Sequence, residues 1–310
     1  MLNYPEKLKI GTRSSALALA QTEIVRKLLA DEFPNLLVEI VPMQTSGDKH
    51  LQVSLAEIGG KGLFAKELEE TLLDKRIDIA VHSLKDMETK LPAGLIIPCV
   101  LEREDVREAL LSPCADSLQN LPQNTRFGTS SVRRAAQLLH LRPDLQIVPF
   151  RGNVATRLQK LQDKVADATL LSFAGLKRLN SDAKIAAIIE TDMLLPAVAQ
   201  GAIGIECRED DVDILQMLSK LNHAPSQICT QAERAMLAAL DGSCRTPIAG
   251  HAVLQANGDL FLRAEVFAND GSVFYATTRT GNLQDAYSLG RDAGEQLRHE
   301  AAHILNFFYL

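Results

Sequence analysis

The feature that most constrains this chain is a plan that occurs twice. Leu8 to Ile10 reads as a short apolar strand running into Gly11-Thr12-Arg13. Ser14 or Ser15 can then cap a helix whose apolar stripe is Leu17, Ala20, Ile24 and Leu28. The plan restarts at Phe127-Gly128-Thr129, with Ser130-Ser131 ahead of a helix over Val132 to Leu141. Strand, polar turn and helix N-terminus make an anion-binding arrangement, because the first N–H groups of a helix have no partners within it. Two similar α/β lobes are the expected consequence.

The remaining segments fit that expectation. Leu36 to Val41 predicts a strand, Phe64 to Leu73 a helix, and Ile77 to Val81 a strand that delivers His82-Ser83-Leu84-Lys85-Asp86 at its C-terminal end, where open α/β sheets bind ligands. Leu95 to Val100 is a further strand, followed by a polar crossing at Glu102-Arg103-Glu104-Asp105. In the second lobe Gln146 to Val148 leads into Arg151-Gly152-Asn153 and a helix, and Ala168 to Ser172 is a buried strand ahead of Phe173-Ala174-Gly175-Leu176-Lys177-Arg178. The segment Leu195 to Cys207, with its Pro/Gly turn and small apolar strand, predicts a return to the first lobe. From about Ala224 the character changes to a helix over Thr230 to Leu240, strands near Ile248–Leu254, Leu260–Val266 and Val273–Thr278, and a terminal helix from about Leu283. Asn257-Gly258 and Asp270-Gly271 supply hairpin signals. The expected domains are 1–101 with 202–220, 102–201, and 221–310, the last a small α+β domain with a three-stranded antiparallel sheet.

Composition narrows the class. At 310 residues the chain exceeds one core, and a net charge of −6 argues against a nucleic-acid protein. Arginine gathered into a few segments of an acidic chain therefore reads as a local anion site. No apolar run reaches the length of a membrane span, and the opening residues lack the layout of a signal peptide, so a cytoplasmic protein is expected. The five cysteines include no Cys-x-x-Cys pair, which disfavours a structural metal or a disulfide framework.

Cys244 stands in a loop bracketed by Gly242 and Pro247 beside Arg245, where a thiolate could form a covalent bond; an incidental thiol is the plain alternative. Arg13, Arg133, Arg134, Arg151, Arg157 and Arg178 all fall at loop-to-helix junctions or on first helical turns. Each could be a solvated surface cation; together they suit a ligand with many carboxylates, because a guanidinium can donate two parallel hydrogen bonds. Asp86 is either a surface ion-pair partner of Lys85 or a carboxylate aimed into a cationic cleft. Lys61, in Gly59-Gly60-Lys61-Gly62, lacks the spacing of a nucleotide loop. His82 reads as packed against its strand end, and Phe64 as a lid or core residue.

These segments, in this order, resemble the porphobilinogen deaminase (hydroxymethylbilane synthase) family. The resemblance runs from Gly11-Thr12-Arg13 through Val81-His82-Ser83-Leu84-Lys85-Asp86, Gly128-Thr129-Ser130-Ser131-Val132-Arg133-Arg134, Arg151-Gly152-Asn153-Val154-Ala155-Thr156-Arg157 and Leu195-Pro196-Ala197-Val198-Ala199-Gln200-Gly201 to Gly242-Ser243-Cys244. It implies two lobes folded like periplasmic binding proteins, and a dipyrromethane cofactor held by a thioether to Cys244 and built from the enzyme's own substrate. On it four porphobilinogen molecules would be condensed head to tail, each losing ammonia, to give linear hydroxymethylbilane. It assigns the electrophilic steps to Asp86. It assigns the cofactor to Lys85, Asp86, Thr129, Ser131, Arg133, Arg134, Arg151 and Gly152 beside Cys244, and the substrate to Arg13, Ser15, Lys61, Phe64, Ser83, Arg157, Arg178 and Gln200. It requires no metal, and implies a monomer that passes its product to uroporphyrinogen-III synthase.

Two departures stand out: Glu57 where some relatives have a lysine, and no tryptophan in the first helix, where this chain has Ala20. Two other classes compete. A two-lobed anion receptor would need neither a loop thiol nor a third domain. A cysteine hydrolase would want a histidine close to Cys244; His223 and His251, the nearest in sequence, carry no base motif.

Overall fold

The computed structural model describes residues 4–45, 65–181, 183–242 and 246–305. Two compact units divide the chain, Met1–Glu104 with Gly201–Gln227 and Asp105–Gln200 with Ile228–Leu310. The chain begins with β1 (Lys7–Arg13), α1 (Ala16–Glu32), β2 (Leu37–Met43), α2 (Lys66–Leu73), β3 (Ile79–Ser83) and β4 (Leu95–Val100). It then builds β5 (Glu108–Leu111), β6 (Arg126–Gly128), α3 (Val132–Leu141), β7 (Gln146–Val148), α4 (Val154–Gln162), β8 (Ala168–Ser172), α5 (Phe173–Arg178) and β9 (Ala187–Ile189) in the second unit. It returns as β10 (Ile203–Arg208) and α6 (Val212–Leu221).

The two sheets share one topology. The first runs β2-β1-β3-β10-β4 and the second β7-β6-β8-β5-β9. In the first, β1 is parallel to β2 and β3, while β10 is antiparallel to β3 and β4. In the second, β6 is parallel to β7 and β8, while β5 is antiparallel to β8 and β9. Each lobe thus takes its antiparallel strand from the residues at which the chain enters it. Each is a five-stranded open α/β sheet of mixed strand direction. The same steric demand recurs in both lobes. A Cβ on Gly11 would collide with the Ile77 side chain, and one on Gly128 would stand 2.6 Å from the Phe150 ring. A glycine therefore precedes each hydroxyl-bearing turn.

Helices cover both faces of each sheet. In the first lobe Leu8, Ile10, Ile79, Val81, Ile205 and Cys207 pack with Val25 and Leu29 of α1 and Ile214, Met217 and Leu218 of α6. On the other face Leu68 and Leu72 of α2 meet Ala80 and Leu95. The second lobe packs Phe127, Leu138, Ala168 and Leu170 together, and Val154 and Leu158 against Leu171 and Leu176.

One expectation from the sequence is corrected here. The buried face of α1 is Ala18, Gln21, Thr22, Val25 and Leu29, whereas Ile24 and Leu28 are 37% and 39% exposed. The helix turns its small residues inward because the sheet lies close beneath it, and Gln21 finds a polar partner there. The strands β5 and β9 and the helix α6 were not expected from the pattern.

After α6 come α7 (Ala224–Ala239), the strands β11 (Ile248–Leu254), β12 (Leu260–Phe267) and β13 (Phe274–Gly281), α8 (Ala286–Glu300) and α9 (Ala302–Leu305). The three strands form an antiparallel sheet in sequence order. Its hairpin at Asp270-Gly271 docks on α3, where His140 Nδ1 lies 3.0 Å from the Gly271 carbonyl.

Candidate active site

In the first unit β1 carries Arg13 to its end, and Ser15 caps α1, its Oγ accepting from the Ala18 N–H (3.3 Å). From β3 the chain makes a single 3-10 turn, Leu84–Asp86, placing Ser83, Lys85 and Asp86 at the C-terminal edge of the sheet. These residues meet. Arg13 Nη1 lies 3.9 Å from Asp86 Oδ2, with the side chains 22% and 39% exposed. Arg13, Ser15, Gln21, His82, Ser83 and Asp86 line one cleft. The Ser83 hydroxyl donates to Gln21 Oε1 (3.0 Å), and Gln21 Nε2 is buried with no hydrogen-bond partner among the described residues. An amide donor in that condition suits an acceptor arriving from the cleft.

Behind β3 lies a second polar group. His82 Nε2 donates to Glu206 Oε2 on β10 (3.0 Å), both side chains being buried. Burial and the adjacent Glu206 carboxylate push Glu69 of α2 up to about 7. The pairing explains His82 as a residue packed at its strand end.

In the second unit the repeated turn is more enclosed. Ser131 caps α3, accepting from the Arg134 N–H (3.4 Å), while Thr129 Oγ1 accepts from the Ser131 N–H (3.1 Å) and Ser130 Oγ from the Phe150 N–H (2.9 Å). Arg133 and Arg134 on the first turn of α3 are buried. Arg133 donates to Glu108 Oε1 (2.6 Å) and the Leu195 carbonyl (2.8 Å). Arg134 grips both oxygens of Glu108 (3.0 and 2.7 Å) and the Leu170 carbonyl (3.1 Å). Burial pulls Arg133 below its usual range, with Glu108 opposing and Arg134 adding to the fall. A guanidinium remains charged even so.

The turn after β7 holds Arg151, Gly152 and the α4 cap Asn153. Arg157 Nε donates to the Gly152 carbonyl (2.9 Å), and Gly152 has φ +126°, a conformation that favours glycine. Arg178 ends α5, half-buried, and Gln200 is fully buried with its Nε2 donating to the Val106 carbonyl (2.7 Å). Lys61, Phe64, Cys244 and Glu57 lie outside the described residues. Of the other cysteines, Cys99, Cys207 and Cys229 are buried, and burial pushes the Cys99 and Cys207 thiols up to about 12.

Residues 8–216 match the family model of the porphobilinogen deaminase dipyrromethane cofactor binding domain, and residues 227–299 match that of the porphobilinogen deaminase C-terminal domain. The chain belongs to the porphobilinogen deaminase family. Among curated relatives, porphobilinogen deaminase of Paracoccus denitrificans is 50% identical over 301 residues, covering 95% of this chain and 94% of that one. The chloroplastic porphobilinogen deaminase of Pisum sativum is 48% identical over 306 residues, covering 96% and 83%. Among solved structures, the methionine-binding protein MetQ has a TM-score of 0.45 at 14% identity, covering 76% of this chain and 94% of that one.

As a porphobilinogen deaminase the chain condenses porphobilinogen head to tail into hydroxymethylbilane on a dipyrromethane cofactor. The donor set suits that cofactor. Acetate and propionate side chains call for guanidinium groups, hydroxyls and helix N-terminal amides, and the turns at Thr129–Arg134 and Arg151–Arg157 present these. Two residues here are not evident from the sequence: Gln21, on the less apolar face of α1, and Glu108, whose partners lie 25 and 26 positions further along.

Proposed function

We propose that the cleft of the first unit is where porphobilinogen reacts, with Asp86 as the catalytic carboxylate and Arg13, Ser15, Ser83 and Gln21 holding the substrate. The observation that carries this reading is the partly exposed Arg13–Asp86 pair beside the unpartnered Nε2 of Gln21. A pair so exposed is worth at most about 1 kcal/mol. Arg13 can therefore exchange Asp86 for a substrate carboxylate at little cost, leaving Asp86 to face positive charge. When ammonia leaves the aminomethyl group a cation remains on the substrate. A carboxylate at that point stabilises it and can take the proton lost as the pyrrole recovers its aromaticity.

To the substrate this reading also assigns Lys61, Phe64, Arg157, Arg178 and Gln200. Cys244 carries the primer, whose carboxylates fall to Lys85, Thr129, Ser131, Arg133, Arg134, Arg151 and Gly152. When bound, the dipyrromethane supplies the nucleophilic pyrrole carbon to which the incoming unit is joined. Burial and a high thiol pKa argue against Cys99 and Cys207 as the attachment point, since the thiolate is the reactive form. No helix of the described residues is long and apolar enough to cross a membrane. We place the protein in the cytoplasm as a monomer that hands its product to uroporphyrinogen-III synthase.

Intact mass spectrometry tests the anchor. The parent should exceed its sequence mass by two linked pyrrole units. Cys244→Ala should fold, lack that increment and make no product; an increment retained in that variant would move the anchor to another cysteine.

A further inference from the structure

Among the buried carboxylates that have no place in the chemistry described so far, Glu108 is hydrogen-bonded to two arginines. Glu108 opens β5, is fully buried, and accepts three hydrogen bonds from two guanidinium groups, at 2.6 Å from Arg133 and at 3.0 and 2.7 Å from Arg134. Two cations side by side at a helix N-terminus, itself a region of positive potential, repel each other and would splay apart without an acid between them. Glu265 of β12 also faces Arg133 but answers mainly to Arg263, 3.8 Å away, and burial pushes its carboxyl up. Glu108 is thus the acid hydrogen-bonded to the pair. One carboxylate against two guanidiniums leaves one surplus positive charge, in a place protein carbonyls keep rigid. Arg133 Nε makes no hydrogen bond among the described residues, so the pair is not saturated.

We propose that Glu108 is a positioning residue for the dipyrromethane: it clamps Arg133 and Arg134 side by side and trims their charge to a single surplus cation, matched to one carboxylate of the primer. This rests on the reading that the pair holds the primer. It adds that the acid behind the pair determines how readily the primer is acquired. Glu108 touches neither primer nor substrate and acts through the two arginines.

The test uses full-length protein produced without a supply of porphobilinogen, to which porphobilinogen is then added. Intact mass spectrometry follows the fraction carrying the two-pyrrole increment, at several porphobilinogen concentrations, and circular dichroism gives the melting temperature. Glu108→Gln keeps the shape and removes the charge; its folded fraction should acquire the increment more slowly by about tenfold or more, as expected when one partner of a buried charge pair is lost. Glu108→Asp, a charge withdrawn by one methylene, should fall between that variant and the parent. Loading of folded Glu108→Gln at the parental rate, with only a lowered melting temperature, would reduce Glu108 to a structural ion and overturn the proposal. Should Glu108→Gln fail to fold, parental loading by Glu108→Asp overturns it equally. Arg133→Leu separates the two levels. If that variant loads normally, the reading that the pair holds the primer fails; if it does not load while Glu108→Gln does, only the role of Glu108 fails.

Discussion

The turns β1–α1 and β6–α3 are two copies of one design put to different use. Both place a glycine before a hydroxyl-bearing turn, and both cap the following helix with a serine, Ser15 or Ser131. In the first copy the arginine stays in the turn, partly exposed, 3.9 Å from the still more exposed Asp86. In the second copy the two arginines have moved onto the helix and are buried against Glu108. An exposed pair exchanges partners readily, whereas separating a buried one costs about 3–5 kcal/mol. A substrate that arrives and leaves many times suits the first arrangement, and a primer that never leaves suits the second.

The largest effect that could break this comparison concerns Asp86. Asp86→Asn preserves the shape of the side chain and removes the charge that makes the first turn exchangeable. Turnover should fall by orders of magnitude while porphobilinogen binding persists, measured as steady-state rate and as equilibrium binding on the loaded enzyme. A several-fold loss or less would demote Asp86 to an ordinary partner of Arg13, and the two turns would then differ only in burial.

What could be read from the residues, and what could not, follows the same division. The helix over Val132–Leu141 and the strands Gln146–Val148 and Ala168–Ser172 lie where the pattern predicts them, because caps and short apolar runs are local causes. The pairing of Arg133 and Arg134 with Glu108 is long-range. Glu108 stands just beyond the polar run Glu102–Asp105, where an acid looks solvated, and β5 is too short to announce itself. Gln21 was obscured for a geometric reason. Leu17, Ala20, Ile24 and Leu28 make the more apolar stripe of α1, yet the sheet takes the smaller one, Ala18, Thr22 and Val25, with Gln21 in its midst. A polar residue within a stripe of small ones was the available signal.

Next in size is the contrast between the arginines themselves. Arg134→Leu removes one of the two guanidiniums paired with the buried Glu108, and should cost about 3–5 kcal/mol of stability. Arg13→Leu should cost less stability than Arg134→Leu, since its pair with Asp86 is partly exposed. Its penalty should appear instead as a raised KM for porphobilinogen. Chemical denaturation and steady-state kinetics on both variants read the two quantities separately. If Arg13→Leu proved as destabilising as Arg134→Leu, the exchangeable pair would be a structural one.

The smallest effect concerns a second difference between the lobes. Each buries a carboxylate on its antiparallel strand, Glu108 on β5 and Glu206 on β10, both fully enclosed. Glu108 is answered by two guanidiniums, whose charge does not change with pH. Glu206 is answered by the His82 imidazole and stands near Glu69, which burial and then Glu206 push up to about 7. The sign follows from linkage. Between about 4.5, the ordinary value, and about 7 the folded state keeps a proton on Glu69 that the unfolded chain has already released, so Glu69's contribution to stability is intact below that window and is lost as pH rises through it. Glu69→Gln, neutral at every pH, should melt with the parent near pH 4.5 and at a higher temperature by pH 8, the gap opening across the window and then levelling. Glu108→Asp, a change beside fixed charges, should show no such growing gap. Thermal melts of the three proteins from pH 4.5 to 8 check this. A constant offset for Glu69→Gln would mean that Glu69 is ionised in both states, and that the first lobe holds its buried acids by charge pairing, as the second does.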